Sequence, residues 1–462
     1  MGGDVWRVRV ERALEEGERF AGAWVSGGEQ RNWRALFIAA GGFRMLSCDA
    51  TGGEVESIVD LVEAAVWDER EAHDLNGLSF LGHSPMRALA AHPEDPALWM
   101  TPVGGEGVHQ VAVGPIHAGI IESGHFRFHV IGERILAMDP RLFYKHRGLE
   151  RAAVGLHTDE ALPYAGRACA ACSVTNTVAY AQAVEAAYGL QPDRDLRVGR
   201  TVLLELERLY SHLHDISAIC AGVGYAPGAL AFAALKDRAQ QINARTFGHR
   251  FLFHTVTVGK GATALDGRSG EAALGDLREL RADSAAGWRE LEFTGSLQAR
   301  LDGIGILSAE DAHRLGAAGP AARACGIRED ARSTSPHLAY DGFTPALLRA
   351  STGDVASRLR IRALELERTY DILAELLTKP FARGSSSARG PVSSVGIGRV
   401  ESPRGATICA VELDGRTVSR LHLRTGSYAN WPALVHATAG NLLPDFPLIN
   451  KSFELCYACV DR

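Results

Sequence analysis

The chain has 462 residues, of which 46% are hydrophobic, and its 49 Lys and Arg side chains against 55 Asp and Glu give a net charge of −6. This length indicates two or more domains, and the charge argues against a nucleic-acid partner, which would need a basic face. The sequence shows neither a secretory signal nor an apolar run of about 18 residues that could span a bilayer, so we expect a cytoplasmic protein.

Residues 1 to about 100 are expected to form a small α+β unit. Periodic and alternating apolar residues predict two helices, at 10–20 and 57–67, and two strands, at 34–39 and 43–47. Three prolines and scattered glycines then indicate a linker over residues 88–107. The organisation of the chain is therefore expected to change near residue 105.

A short sheet and a run of helices are predicted beyond the linker. Strand-like residues at 120–121 and 126–131, followed by Gly132 and Glu133, indicate a small antiparallel sheet. Helical periodicity predicts helices at 175–188, 200–220 and 354–377, and the second of these carries one apolar stripe, Leu206, Leu209, Leu213 and Ile216. This larger part is expected to be mainly helical with short strands at its edge.

The segment before the C-terminus predicts a loop and a hairpin. Residues 384–404 are rich in Gly, Ser and Arg, which is typical of a loop. Residues 407–423 predict a hairpin that turns at Asp414 and Gly415, and a final helix is expected after it.

Four of the eight cysteines lie in two Cys-x-x-Cys pairs, Cys169 with Cys172 and Cys456 with Cys459. In a cytoplasmic chain such pairs indicate metal binding or redox chemistry more often than disulfides, and four soft thiolates suit zinc, iron–sulfur or nickel centres. Zinc ribbons keep their pairs about 15 to 20 residues apart, whereas most of this chain separates the two pairs. A buried redox or catalytic metal is therefore favoured, and structural zinc and unligated cysteines remain as alternatives. The other four cysteines have no partner at ligand spacing and are interpreted as small buried hydrophobes: Cys48, Cys220, Cys325 and Cys409.

Both pairs are embedded in longer motifs. The first is Gly-Arg-Ala-Cys-Ala-Ala-Cys-Ser at 166–173, and the second is Asp-Phe-Pro at 445–447 followed by Glu-Leu-Cys-Tyr-Ala-Cys-Val-Asp-Arg at 454–462. They resemble the two cysteine motifs of nickel–iron hydrogenase large subunits. The version that ends in Arg rather than His is typical of the complex-I-related, energy-converting branch, which includes formate hydrogenlyase. Further segments that resemble this branch lie at 114–117, 122–126, 146–150, 248–250, 319–324, 330–332 and 401–405.

The N-terminal unit carries a resemblance of its own. Residues 67–77, Trp-Asp-Glu-Arg-Glu-Ala-His-Asp-Leu-Asn-Gly, followed by Gly82 and His83, are similar to the signature of the small hydrophilic complex I subunit that lies beside the large one. By composition alone, the charged run at 69–71 would be a solvated helix face. The resemblance implies a docking role for it instead.

Together these resemblances imply a fold and a function. The implied fold is α+β: a mainly helical domain like the large subunits of nickel–iron hydrogenases and complex I, residues 106–462, preceded by a small α+β complex-I-like accessory domain, residues 1–105. The implied function is that of a catalytic subunit that interconverts H2 with protons and electrons at a nickel–iron centre, whose iron carries small diatomic ligands. The nickel would be bound by all four paired cysteines, Cys169, Cys172, Cys456 and Cys459.

The resemblance also implies partners and a location. Electrons would pass to an iron–sulfur small subunit, because this chain has no further cysteine set for an iron–sulfur cluster. Integral membrane subunits would hold the chain at the cytoplasmic side of the inner membrane. Relatives typically lose a C-terminal extension after the second motif, so Arg462 is expected to be either a processed or an encoded end.

Two further residues take roles from the resemblance. Glu122 is the candidate proton relay away from a metal-bound cysteine, a role that partial burial of its carboxyl group would favour. Arg404 matches an arginine over the open side of the centre, where its fixed charge would position the diatomic ligands. His117 and His125 are ambiguous: a histidine near a strand end is more often a hydrogen-bonded structural residue than a ligand.

The chain departs from the family pattern in three ways. Ala170 stands where a glycine usually follows the first cysteine, and Asn176 stands where a histidine is usual. Glu454 and Leu455 replace the Asp-Pro that usually precedes the third cysteine, which removes the fixed φ of proline. Two alternatives therefore accompany the hydrogenase interpretation: a metal-free subunit of a quinone-reducing NADH oxidoreductase, and a scaffold that keeps the cysteines without a working centre.

Overall fold

The computed structural model describes residues 3–27, 30–40, 42–117, 122–348 and 351–462. The strand predicted at 120–121 lies outside these residues. The N-terminal part contains α1 (Gly3–Glu15), β1 (Arg19–Val25), β2 (Asn32–Ala39), β3 (Gly42–Asp49), β4 (Glu54–Glu56), α2 (Val66–Asn76) and β5 (Ser79–Leu81). Strands β1, β2 and β3 form an antiparallel sheet in that order, and β4 pairs with β5 in parallel. Trp6, Trp33 and Phe37 are almost fully buried in the core that this sheet shares with α1 and α2.

The two N-terminal strands are confirmed, but both predicted helices are misplaced. The first helix ends at Glu15, because β1 already begins at Arg19. Residues 57–62 are not helical, since the Glu69 carboxylate accepts hydrogen bonds from Ser57 Oγ (2.8 Å) and the Ile58 amide (2.9 Å), and a 3-10 turn at Glu63–Ala65 then leads into α2. In the linker at 88–107, all of which is described, the only regular element is a 3-10 turn at Pro96–Leu98.

The larger part is mainly helical. Its strands are β6 (Val108–Val113), β7 (His125–Ile131), β8 (Arg134–Arg141), β9 (Leu190–Pro192), β10 (Ser386–Ala388), β11 (Val395–Ser402), β12 (Gly405–Asp414) and β13 (Thr417–Arg424). Its helices are α3 (Leu149–Ala152), α4 (Thr158–Gly166), α5 (Ser173–Ala187), α6 (Arg194–Gly222), α7 (Ala226–Phe247), α8 (Gly267–Phe293), α9 (Gly295–Leu301), α10 (Ala309–Arg314), α11 (Gly319–Ala324), α12 (Val355–Leu376), α13 (Gly426–Thr438), α14 (Phe446–Phe453) and α15 (Ala458–Asp461). The α+β fold class predicted from the sequence is confirmed.

Helix α6 is the centre of this part. Its 29 residues pack against α5, α7, α12 and α14. The predicted apolar stripe is buried, with Leu209, Leu213 and Ile216 at 0% exposure. The helices predicted at 175–188 and 354–377 are confirmed as α5 and α12, and the hairpin at 407–423 as β12 and β13.

The loop predicted at 384–404 is wrong, because most of it forms β10 and β11. Strand β11 pairs with β12 and lies directly on α5. A Cβ atom at Gly396 would lie 1.9 Å from the Ala183 carbonyl oxygen, and one at Gly398 would lie 2.0 Å from that of Ala179. The glycines therefore permit close approach of a strand to a helix rather than indicating a loop.

The N-terminal sheet packs on the sheet of β11, β12 and β13. Ala21, Trp24 and Leu36 form one apolar cluster with Ile408 and Ala410. Trp24 Nε1 also donates to the Glu412 carboxylate (3.3 Å). No helix in the described part of the chain combines the length and the apolar character that a membrane span needs.

Candidate metal centre

The fold brings the two remote cysteine pairs together. Cys169 and Cys172 flank a 3-10 turn between α4 and α5, while Cys456 follows α14 and Cys459 lies in α15. The four sulfur atoms all lie within 4.8 Å of one another. Three of the side chains are buried and Cys456 is half-buried; none forms a disulfide.

Helix α6 holds the first pair. Tyr210 Oη donates to the Ala171 carbonyl inside the cysteine turn (3.3 Å). The Glu207 carboxylate accepts from the amides of Val174 (2.7 Å) and Thr175 (3.0 Å), which are free at the start of α5. Burial raises the pKa of Glu207 to about 7. The position of the turn thus depends on side chains of a long, fully packed helix.

The start of α13 holds the second pair. The Cys456 amide donates to Ser427 Oγ (3.0 Å), and Thr425 Oγ1 donates to the Cys459 carbonyl (3.3 Å). The final residue is fixed from the N-terminal part as well, because the Arg462 guanidinium pairs with Glu71 on α2. Both cysteines therefore lie in a segment with little freedom to move.

The four thiols are electrostatically coupled. Hydrogen bonds from Cys169 and Cys172 lower the pKa of Cys456, whereas the hydrogen bond to Cys169 raises the pKa of both Cys172 and Cys459. Four sulfurs so close together, three of them on buried side chains, cannot all be thiolates without a compensating cation. Metal binding would supply that cation and release the remaining protons.

Arg404 lies beside the cysteines at the tip of the β11–β12 hairpin. Its Nη2 donates to Asp215 Oδ1 (3.0 Å) and its Nε donates to the Glu454 carbonyl (2.9 Å). Burial alone would lower the pKa of Arg404. The charges of Asp215, and then of Cys456 and Cys172, outweigh burial and raise this pKa well above its usual value. Arg404 is therefore a permanent buried cation facing the sulfurs.

The Glu122 side chain contacts the backbone between the two cysteines of the second pair. Its Oε2 accepts from the Ala458 amide, between Cys456 and Cys459, at 2.6 Å. Burial raises the pKa of Glu122, and the Ala458 hydrogen bond opposes that shift only in part. The adjacent Gly124 makes room for the Tyr457 ring, since a Cβ atom there would lie 2.5 Å from Tyr457 Cε1.

Two buried polar groups near the cysteines have no partner among the described residues. One is Arg404 Nη1, and the other is the amide of Asn176, which is fully buried one turn after Cys172. An unsatisfied buried donor costs about 1–3 kcal/mol, so a bound group with acceptor atoms would stabilise both. The thiolate set and these donors together fit a soft metal centre that carries polar ligands.

Comparison with known proteins adds independent information. Residues 224–393 and 380–462 match the family model of the respiratory-chain NADH dehydrogenase, 49 Kd subunit, and residues 43–102 match that of the 30 Kd subunit. Hydrogenase-4 component G and formate hydrogenlyase subunit 5 of Escherichia coli K12 are each 30% identical to this chain over 90% of its length, and the matches cover 77% and 78% of those proteins. The chain belongs to the complex-I-related hydrogenase large-subunit family.

One chain of a solved structure has the same fold as this protein. It is described as the membrane-bound sulfane sulfur reductase, an archaeal respiratory membrane complex, and one of its chains aligns with a TM-score of 0.70 and 22% identity. The match covers 78% of this chain and 100% of that one. This match shows the fold, while the two family models and the hydrogenase relatives confirm the resemblance found in both parts of the sequence.

The departures from the family pattern leave the cysteine arrangement intact. Ala170 is exposed, so its methyl group takes no space at the centre. Asn176 remains beside the centre as a buried amide, and Leu455 is buried. The Nδ1 of His125 forms a hydrogen bond with the Gly114 carbonyl (3.1 Å), which favours the structural interpretation of this residue.

The sequence analysis missed Asp215, the acidic partner of Arg404. Asp215 belongs to a charged stripe on α6 that runs beside the apolar one, with members Glu205, Arg208, His212 and Asp215. All four are fully buried and paired: His212 Nε2, for example, lies 2.9 Å from Glu365 Oε2 on α12. A charged stripe at helical spacing, beside the apolar stripe of the same helix, was the available signal.

Proposed function

We propose that this chain is the catalytic large subunit of a nickel–iron hydrogenase complex, which interconverts H2 with two protons and two electrons. The observation that carries the proposal is the cluster of four free cysteine sulfurs within 4.8 Å, flanked by Arg404 and Glu122. Cys169, Cys172, Cys456 and Cys459 would hold a nickel–iron centre whose iron carries small diatomic ligands. Such a centre supplies a Lewis acid that polarises H2 and an exit for its electrons.

The residues around the cysteines have separate roles in this proposal. The fixed charge of Arg404 balances the thiolates, and its Nη1, which has no partner among the described residues, would be available to a polar ligand of the centre. Glu122 Oε2 is held by the Ala458 amide, which leaves Oε1 to take up and release a proton. Because burial raises its pKa, this carboxyl group exchanges protons closer to neutral pH than an exposed glutamate does.

The family also supports a place within a larger assembly. We infer that residues 106–462 form the catalytic domain and that residues 1–105 form an accessory domain, which Glu71 and Asp68 fasten to Arg462 and Arg424. Electrons would pass to an iron–sulfur small subunit. Integral membrane subunits would hold the chain at the cytoplasmic side of the inner membrane, as the relation to a subunit of a respiratory membrane complex suggests.

An isotope-exchange assay tests the catalytic role. The purified complex is expected to exchange D2 with solvent protons, and Glu122→Gln is expected to slow this exchange by about 10²–10⁴-fold without loss of nickel, since only the proton acceptor is removed. Glu133→Gln, at an exposed turn between β7 and β8, is the matched control. Absence of exchange in a nickel-loaded complex would favour the scaffold alternative, in which the chain keeps the cysteines without a working centre.

A further inference from the structure

Three successive residues before Cys456 are each held by a different buried arginine. The contacts are Arg358 Nε to Ser452 Oγ (2.8 Å), Arg362 Nη2 to the Phe453 carbonyl (3.0 Å) and Arg404 Nε to the Glu454 carbonyl (2.9 Å). Arg358 and Arg362 lie one turn apart on α12, whereas Arg404 comes from the β11–β12 hairpin. Two remote elements therefore converge on the segment that leads into the third cysteine.

This segment has a backbone conformation that needs external support. Glu454 has φ +50° and ψ +52°, which is the left-handed region that residues with a Cβ atom rarely adopt. The change of direction there ends α14 and turns the chain towards Cys456. Hydrogen bonds to the carbonyls of Phe453 and Glu454 fix both peptide planes that define this turn.

Burial of the Arg358 guanidinium has a cost in desolvation free energy that packing contacts alone do not explain. Arg358 is fully buried, and within the described residues it pairs with no carboxylate. Its charge is met by the carbonyls of Gly353 (2.7 Å) and Gly305 (2.9 Å) and by the Phe453 ring 4.4 Å away. A buried guanidinium without an ion pair is unusual. Its contacts with Ser452 and Phe453 indicate that Arg358 fixes the position of the C-terminal end of α14.

Asp215 couples the other two arginines. Its Oδ2 accepts from Arg362 Nε (3.0 Å) and its Oδ1 accepts from Arg404 Nη2 (3.0 Å). One carboxylate thus links the arginine that faces the cysteines to the arginine that holds the preceding carbonyl. A shift of Arg362 would therefore be transmitted to Arg404 as well as to Phe453.

We propose that Arg358 and Arg362 are positioning residues, which together with Arg404 form a clamp that sets the place of the Cys456 sulfur. The clamp acts on the Ser452 hydroxyl group and on the carbonyls of Phe453 and Glu454, and it touches no substrate. Its chemical consequence, a defined geometry at nickel, rests on the proposed function. Its structural consequence, a rigid turn at 453–456, does not.

The test compares two arginines of the same helix. Arg362→Met removes the clamp, and Arg360→Met is the control. Arg360 is exposed, and its ion pair with Asp302 is a long surface contact of 3.7 Å. In the full chain produced without nickel, Arg362→Met is expected to speed amide exchange in the 453–456 peptide at least tenfold relative to Arg360→Met. In the nickel-loaded complex, Arg362→Met is expected to shift the nickel paramagnetic resonance spectrum, and Arg362→Lys to restore it in part.

The outcomes separate the clamp from the proposed function. Exchange and spectrum equal to those of Arg360→Met would overturn the clamp. If the wild-type complex holds no nickel, the proposed function fails, and the exchange of the 453–456 peptide alone decides the clamp. If Arg362→Met accelerates exchange throughout the chain, Arg358→Lys takes its place in the same comparison with Arg360→Met, with the same tenfold criterion.

Discussion

Asp215→Asn tests the electrostatic architecture beside the cysteines with a change of almost no volume. Asp215 is fully buried and accepts hydrogen bonds from the guanidinium groups of Arg404 and Arg362, each at 3.0 Å. The asparagine keeps the shape but loses the negative charge, so two buried cations lose their shared counterion. The change is therefore expected to destabilise the folded chain strongly.

The size of the effect follows from these contacts. Two hydrogen bonds to a charged group are worth about 1.5–3 kcal/mol each, which gives about 3–6 kcal/mol. Removal of one partner from a buried ion pair independently suggests about 3–5 kcal/mol. Burial alone would raise the pKa of Asp215, but Arg404 and His212 lower it below its usual value of 3.8. This stabilisation is therefore fully present above pH about 4 and is lost as the pH falls further.

Urea unfolding of the full chain at pH 7, followed by tryptophan fluorescence, measures the loss. Asp283→Asn provides the control, because Asp283 pairs with Arg238 at the exposed surface and its loss is expected to cost under about 1 kcal/mol. The difference between the two variants is expected to shrink below pH about 4. A penalty for Asp215→Asn no larger than that of Asp283→Asn at pH 7 would refute the reasoning.

Three further changes probe other contacts. Asp68→Asn removes the anion beside the buried Arg424 guanidinium (2.9 Å) and is expected to cost about 3–5 kcal/mol in urea unfolding; a cost under about 1 kcal/mol would contradict this. Burial raises the pKa of Glu207 to about 7, so its contribution is full below its unfolded value of about 4.5 and is lost as the pH rises towards 7, by about 3 kcal/mol. Glu207→Gln is expected to flatten the fall in stability between pH 4.5 and 7, and an unchanged profile would argue against that shift. Gly124→Ala places a Cβ atom 2.5 Å from the Tyr457 ring and is expected to cost about 1–3 kcal/mol in thermal or urea unfolding; a neutral substitution would show that the ring can move aside.

The sequence was most informative where one local rule governed an element. Helices α5 and α12 follow their 3.6-residue periodicity, and the β12–β13 hairpin follows its Asp414–Gly415 turn. The cysteine set was predicted from its two motifs, and the structure brings all four sulfurs together. These features depend on residues that are close in sequence or on ligand types that are few.

Other features depend on contacts between remote segments, and periodicity did not reveal them. In the sequence, the glycines of β11 resemble those of a loop. In the fold, Gly396 and Gly398 allow the strand to lie directly against α5. The segment at 57–65 has helical composition, but the Glu69 carboxylate holds its start in another conformation. In the sequence, Asp215 looks like any aspartate on a helix. Its role depends on Arg404, which lies 189 residues later and contacts it only in the folded chain.

The nickel and iron content of the purified native complex, with a Cys456→Ser variant prepared in parallel, tests the central claim most directly. Four thiolates at one site predict about one nickel and about one iron per chain in the wild type, and loss of nickel in the variant because one ligand is removed. A fully assembled complex in which the wild type holds no nickel would contradict the hydrogenase assignment.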